Sequence, residues 1–464
     1  MTTLSDRSGY RSTTAGALGD PLAVAASLAG ASTAPHVLYE RAGQWSFGAG
    51  AAYELLLYPD RIEVRDDFGA RTLPTGPAPL QQIADLLAAC PLPGWRAYGW
   101  AGFELAYFLH GLPQLAGPEP LLHLIVPETE VRWQDGEATL RALDPGALPA
   151  LAERLAGEPA PAAGAPLDLD EGELGEEYRK AVAAAVEDIR ARQLQKVILS
   201  RVVPVPQEID LAATYLLGRR GNTPARSFLL DLGVHRAAGF SPETVVEVDA
   251  HGLISTQPLA GTRALTGDPA ADHDRHEELL ADPKEIFEHA ISVKAACEEL
   301  YTMSERGSVT VDEFMNVRRR GSVQHLASRV GARLAPGRNA WHALAALFPA
   351  VTASGLPKTA ACTAIHRYES APRGLYSGAV LTADADGSLD AALVLRTVFQ
   401  RDGRTWLRAG AGIVEHSTPE REFEETCEKL RSTSRFLVPR TRSDAGSPEG
   451  PRDPRNRDFG ATER

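Results

Sequence analysis

The sequence predicts an α+β fold built on antiparallel sheets, and three observations carry that prediction. The pairs Asp135-Gly136, Asp386-Gly387 and Asp402-Gly403 each separate two apolar runs of strand length, and a short Asp-Gly joint is a strong hairpin signal. Hairpins pair their strands antiparallel, because a parallel pair needs a long crossover. Stretches with helical periodicity lie among the strands without the regular strand–helix alternation of a doubly wound sheet.

Taken in order, residues 1–17 are small and polar and are expected to be disordered. The stretch 18–156 reads as a strand-rich N-terminal subdomain, with runs 53–58 and 61–65 around a Pro-Asp turn and runs 130–133 and 137–143 around Asp135-Gly136. Residues 157–173 (GEPAPAAGAPLDLDEGE) are low in complexity and read as a linker. The stretch 174–438 reads as a second, mixed domain. In it Tyr178, Val182, Val186 and Ile189 fall on one helical face, and Ile286, Ala290, Val293, Cys297 and Leu300 on another. Runs 375–382, 389–400 and 405–414 then read as a three-stranded meander. The tail 441–464 has almost no apolar content and is expected to be disordered.

The 464 residues are 44% hydrophobic and 23% charged, enough for a sizeable core. With 48 basic and 61 acidic residues the net charge is -13, which argues against non-specific binding to nucleic acid or to an anionic membrane. An anionic substrate would then need concentrated local positive charge or a metal ion. No apolar run approaches the ~20 residues that span a bilayer. Asp6 and Asp20 interrupt the Ala/Gly-rich start, so a basic-then-apolar leader is not evident. Cys90, Cys297, Cys362 and Cys427 form no CxxC pair, as expected of reduced thiols. The expectation is a soluble, cytoplasmic protein.

Two segments place carboxylates three residues apart. In Asp282-Pro283-Lys284-Glu285-Ile286-Phe287-Glu288 the proline suits a first helical turn, so Glu285 and Glu288 would share a face. In Ser417-Thr418-Pro419-Glu420-Arg421-Glu422-Phe423-Glu424-Glu425 a capped, proline-led helix puts Glu422, Glu425 and Lys429 on one stripe. Two such helices facing each other would suit Mg²⁺, which takes one or two direct carboxylates and keeps waters. The competing reading is that glutamates in a first turn answer the helix dipole and face solvent.

Other polar residues interrupt apolar runs. Lys196 opens KVILSR; it either snorkels to solvent or, if desolvated, serves as a base. Glu243 follows Ser241-Pro242 at an element boundary. Gly261 and Thr262 lie in a small-residue loop, QPLAGTR, whose backbone N–H groups can approach an anion. Gly410 and Gly412 end a strand just before the second acidic helix. Arg396, inside an apolar strand, needs a carboxylate or an anionic ligand. His325 either contacts a ligand or is a structural, hydrogen-bonded histidine.

Together these segments resemble the chorismate-utilising enzymes: anthranilate synthase large chain, aminodeoxychorismate synthase, isochorismate synthase and salicylate synthase. The resemblance spans about residues 174–438, with KVILSR, SPE, QPLAGTR, DPKEIFEH, RGSVQHLAS, FPAVTASGLPK, RGLYSGAV, DAALVLR, AGAGIV and STPEREFEETCEKL in family order. The wording of RGSVQHL, FPAVTASG and RGLYSGAV is closest to the salicylate-forming branch. The resemblance implies a two-subdomain α/β sandwich of antiparallel sheets and flanking helices, with the site in the central cleft. It implies Lys196 as the base activating water at C2 of chorismate and Glu243 as the acid at the C4 hydroxyl. Glu288 and Glu425 would bind Mg²⁺, with Glu285 and Glu422 in support. Tyr376 and Arg396, with the backbone at Gly410 and Gly412, would hold a carboxylate, while Gly261, Thr262, His325, Thr352 and Lys429 would line the site. The implied product is salicylate plus pyruvate, formed through isochorismate. The alternatives are release of isochorismate and, less favoured, amine transfer. The lysine at 196 and the absence of a glutamine-hydrolysing domain imply water as nucleophile and no amidotransferase partner, and the family resemblance implies a monomer.

Overall fold

The structure, a computed structural model, describes residues 9–16, 19–134, 136–157, 164–172, 175–321 and 323–440. Two antiparallel sheets stack face to face. The first holds eleven strands, running from the edge strand Arg11–Ala15 through Glu137–Ala142, Thr129–Gln134, Gln44–Ala49 and His36–Arg41. It continues through Arg226–Asp231, Arg236–Ser241, Thr397–Arg401, Arg404–Ile413 and Lys196–Val205 to the short Gly355–Leu356. The second holds twelve, with Leu259–Ala264, Val323–Arg333, Leu253–Thr256 and Thr244–Val248 leading to Leu389–Leu393 and Ala379–Asp384. Arg96–Ala101, Leu122–Val126, Tyr53–Leu57, Arg61–Asp66 and Gly69–Pro74 complete that order, and Thr310–Arg320 pairs with Val323–Arg333.

Each sheet takes strands from both sides of the 157–173 stretch. Leu38 pairs with Leu229 in one, and Trp100 with Val380 in the other. The boundary drawn in the sequence therefore divides the chain but not the sheets. Side chains of both inner faces, among them Tyr39, Tyr98, Trp100, Phe228, Tyr376 and Phe399, fill the core between them. Helices cover the outer faces: Pro21–Gly30, Ala147–Ala156 and Leu211–Gly221 on the first sheet, and Pro79–Ala88 and Ala340–Leu347 on the second. No helix of the described residues is long and apolar enough to cross a membrane.

Several expectations change. Part of the start expected to be disordered, Arg11–Ala15, is a strand paired with Glu137–Ala142, because the sheet edge supplies hydrogen-bond partners that its side chains need not provide. The other residues of 1–17 that fall among 1–8 and 17, and the tail 441–464, lie outside the described residues. Of the linker, residues 158–163 and 173 lie outside them as well. Leu167 is anchored, its N–H donating 2.7 Å to the Leu437 carbonyl. The meander is not one sheet. The run 389–400 is two strands, Leu389–Leu393 in the second sheet and Thr397–Arg401 in the first, and the chain crosses between them at Arg396, whose φ is 50°.

The two acidic helices form as expected. Pro283–Tyr301 starts at Asp282, whose side chain accepts from Lys284 N and Glu285 N. Pro419–Ser434 starts at Thr418, which accepts from Arg421 N. The buried face of the first is rotated from the apolar stripe read in the sequence. Glu285, Glu288, His289, Ser292 and Val293 are buried, whereas Ile286, Ala290 and Cys297 are only half-buried. A helix that buries its carboxylates requires partners for them.

Candidate active site

The strand from Lys196 lies in the first sheet between Gly355–Leu356 and Arg404–Ile413, so its first side chain is inside the molecule. Lys196 is fully buried. Its Nζ lies 2.9 Å from Glu288 Oε1 and donates to Ser292 Oγ at 3.3 Å. The snorkelling alternative is thereby excluded. Glu288 and Ser292 are one helical turn apart, and the Ser292 hydroxyl donates to the Glu288 carbonyl at 2.9 Å.

Glu243 lies where Arg236–Ser241 gives way to Thr244–Val248, the point at which the chain passes from one sheet to the other. Its carboxyl accepts from the Thr352 hydroxyl on one oxygen and from Leu259 N at 2.8 Å on the other. Burial pushes its pKa up to about 7, against the opposing pull of those hydrogen bonds and of Lys196 and Arg396. A carboxyl so placed can exist protonated near neutrality, as a general acid must.

Arg396 is held at the crossing. Its Nη1 donates to the Arg320 carbonyl at 2.9 Å and its Nη2 to His325 Nε2 at 2.5 Å. With Nε2 accepting, Nδ1 of His325 is the protonated nitrogen; it faces Thr262 Oγ1 at 3.1 Å and the Gly261 carbonyl at 3.3 Å. Burial, then the charges of Arg396 and Lys429, hold His325 well below the usual histidine range, so it is neutral. Burial and nearby Arg320 push Arg396 itself down to about 10, still a cation at neutral pH. No carboxylate pairs with it in an ion pair among the described residues, so this buried charge remains available to an anion. Tyr376 is buried across the cavity, 5.6 Å from the Arg373 guanidinium and 5.5 Å from that of Arg408.

The second acidic helix lies over the strand end at Gly410 and Gly412. Lys429 Nζ donates to the Gly410 carbonyl at 2.9 Å and lies 2.8 Å from Glu425 Oε1. A Cβ on Gly412 would come within 2.4 Å of Glu288 Oε1, and one on Gly410 within 3.0 Å of the Tyr376 hydroxyl. The two glycines are therefore what lets the strand approach these side chains. Gly261, at φ 78°, brings its backbone equally close to Glu285.

All four glutamates stand on the two helices as the spacing requires, and none of them faces solvent freely. Glu285 accepts from Arg263 at 3.0 Å, Glu288 from Lys196, Glu422 from Lys284 at 3.0 Å and Glu425 from Lys429. Burial and the charges of Glu288 and Glu425 push Glu285 up. Burial and Glu425 push Glu422 up to about 7. Against the effect of burial, Lys429 and Lys284 hold Glu425 below the usual carboxylate range. One oxygen of Glu422 is buried without a hydrogen-bond partner. Among the described residues no three metal-ligating side chains form a ready-made cage. Crowded carboxylates at a cavity wall, one with an orphan oxygen, do fit an ion that takes one or two of them and fills its shell with water and substrate oxygens.

Twelve of the fifteen residues singled out in the sequence line one cavity: Glu243, Gly261, Thr262, Glu288, His325, Thr352, Tyr376, Arg396, Gly410, Gly412, Glu425 and Lys429. Lys196, Glu285 and Glu422 are not among its lining residues, though Lys196 touches the lining Glu288 and Glu285 lies against the lining Gly261. The sequence reading missed Ser292, the half-buried Arg320 and the buried Arg373 and Arg408. The first shares the Lys196 face of its helix at i+4 from Glu288, a signal that was available. The arginines lie in stretches whose burial depends on pairings far along the chain.

A model of the chorismate binding enzyme family matches residues 16–435. Salicylate synthase of Mycolicibacterium paratuberculosis is 43% identical over 87% of this chain and 90% of its own length. Anthranilate synthase component 1 of Streptomyces coelicolor is 37% identical over 77% of each chain. Among solved structures, anthranilate synthase component I of Streptococcus pneumoniae superposes with a TM-score of 0.71 at 25% identity, covering 87% of this chain and 93% of that one. The menaquinone-specific isochorismate synthase of Escherichia coli has the same TM-score at 23% identity, over 92% and 94% of the two chains, a likeness of fold. With sequence and fold in agreement along nearly its whole length, the chain belongs to the chorismate binding enzyme family.

Proposed function

We propose that the protein is a Mg²⁺-dependent salicylate synthase that converts chorismate, through isochorismate, to salicylate and pyruvate. The observation that carries this reading is a cavity walled by a buried, readily protonated carboxyl, Glu243, and by an Arg396 that forms no ion pair among the described residues, with the buried amine of Lys196 against the wall residue Glu288. The relative that is 43% identical over 90% of its own length, named salicylate synthase, supports the same choice of product.

In this mechanism the Arg396 guanidinium and Tyr376 bind one substrate carboxylate, and neutral His325 keeps the guanidinium aimed at it. Lys196 Nζ, oriented by Ser292 and Glu288, accepts the proton of a water attacking C2. Glu243 donates its proton to the departing C4 hydroxyl, which leaves as water while the ring double bond shifts. Acid and base placed at one cavity make the substitution a positioned, effectively unimolecular event. Glu288 and Glu425, with Glu285 and Glu422 behind them, would hold Mg²⁺, which when bound neutralises and orients the substrate's second carboxylate. In the second step the C2 hydrogen passes to the enolpyruvyl methylene, the C3–O bond breaks, and pyruvate departs as the ring becomes aromatic. Here the cavity need only hold the side chain over the ring. Turnover in ¹⁸O-labelled water tests the proposal: salicylate carrying one label at its phenolic oxygen is expected, and unlabelled salicylate or an amino product contradicts it. The soluble character, cytoplasmic location and independence from an amidotransferase follow from the same reading.

A further inference from the structure

Arg408, in the wall of the cavity, belongs to a buried cluster that the chemistry above leaves unused, together with Glu369 and Arg373. Glu369 follows the helix Lys358–Tyr368. It accepts from Ser200 N at 2.7 Å, Ser200 Oγ at 2.9 Å, Arg373 Nη2 at 2.6 Å, Arg373 Nε at 2.9 Å, and Arg408. The Arg373 side chain is 1% exposed. The rest of its fork reaches two backbone carbonyls, Ala353 through Nη1 at 2.7 Å and Ile198 through Nη2 at 2.7 Å. Ala353 directly follows Thr352 in the short turn Val351–Ala353, and Thr352 donates to Glu243. Ile198 lies two residues beyond Lys196 on the same strand.

We propose that Arg373, held in place by Glu369, is a positioning residue that sets the acid–base geometry by tying the Thr352 turn to the Lys196 strand. A buried ion cluster is a poor device for stability alone, since well-packed apolar side chains generally do as well. A planar guanidinium can instead donate in fixed directions to three segments at once. Arg373 does so with the segment carrying the base, the turn carrying the acid's hydrogen-bond partner, and the carboxylate that holds both arginines.

This inference rests on the acid role of Glu243, and the pH–rate profile separates the two. The groups facing Glu243 are Thr352 and Leu259 N–H by hydrogen bond and Lys196 and Arg396 by charge. All four favour the ionised carboxylate, so losing the Thr352 bond raises its pKa and moves the alkaline limb of kcat/KM upward. Thr352→Val and Arg373→Lys are each expected to move that limb up by about one pH unit. The double variant is expected to move it no further, because both act on one hydrogen bond. The position of the limb does not depend on how much enzyme is folded, so mere destabilisation leaves it in place. If Arg373→Lys does not fold, Arg373→Gln leaves Glu369 paired with Arg408 and serves in the same cycle, where simple loss of charge would add to the Thr352→Val shift. A limb unmoved by the Arg373 variant, or shifts that add, overturns the inference while leaving the acid role standing. A limb that Glu243→Gln and Thr352→Val both leave in place overturns the acid role itself and the inference with it.

Discussion

Replacing Gly412 by alanine separates the site from the fold. Gly412 lies in the strand Arg404–Ile413 opposite Ile198, in ordinary extended backbone, so the substitution imposes no conformational strain. The added Cβ would sit 2.4 Å from Glu288 Oε1, 3.2 Å from its Cδ and 3.4 Å from Ile198 Cδ1. Only the carboxylate clashes, and it is the end of a flexible side chain. Moving from 2.4 Å to the 3.4 Å of ordinary contact requires a retreat of about 1 Å. That retreat breaks the 2.9 Å approach to Lys196 and withdraws a proposed metal ligand. A misplacement of ~1 Å at a reacting centre costs roughly 10²-fold in rate, whereas the melting temperature should change by no more than about 3 °C. Gly410→Ala is the control, because its Cβ would meet the Leu199 carbonyl of the neighbouring strand at 2.6 Å, and backbone cannot retreat cheaply. It should lose stability by about 1–3 kcal/mol. Steady-state turnover of chorismate and thermal melts on both variants decide the matter. A Gly412→Ala enzyme within threefold of the parent rate would refute the claim that Glu288 must stand where it does.

The remaining expectations concern the charged groups. Glu243→Gln should abolish turnover while raising stability at pH 8 more than at pH 5. The folded pKa of about 7 lies above the ordinary 4.5, so the cost of ionising the buried carboxyl develops as pH rises through that window and reaches about 3 kcal/mol above it; equal melting shifts at both pH values would contradict this. Arg396→Lys keeps the charge but loses the fork on His325 and the substrate carboxylate, and should raise KM for chorismate by roughly 10–100-fold. Chelation of divalent ions should stop turnover and Mg²⁺ should restore it, with Glu425→Gln needing more Mg²⁺ for half-maximal rate.

How far the sequence could be read depended on how local each signal was. The acidic helices were legible because a cap, a proline and an i,i+3 carboxylate pair all lie within eight residues. Arg396 was legible as a charge in an apolar run, but the break it makes was not. The run 389–400 contains no Gly or Pro, and the positive φ falls on an arginine. Apolar spacing alone does not mark the buried face of Pro283–Tyr301, because its buried stripe carries Glu285, Glu288 and Ser292 and is satisfied by Lys196 and Arg263. The merging of N- and C-terminal strands into common sheets was invisible, since pairs such as Leu38 with Leu229 and Trp100 with Val380 are set by packing of the finished molecule. The role of Arg373 was hidden for the same reason: its partners, Glu369, Ala353 and Ile198, converge only after folding.

The central claim is that one cavity carries chorismate through both steps. Incubation of the purified protein with chorismate and Mg²⁺, with products quantified by mass, tests it most directly. Salicylate and pyruvate in equal amounts, with no isochorismate accumulating, is the result expected. Chorismate left unconsumed, or isochorismate as the sole end product, would contradict it.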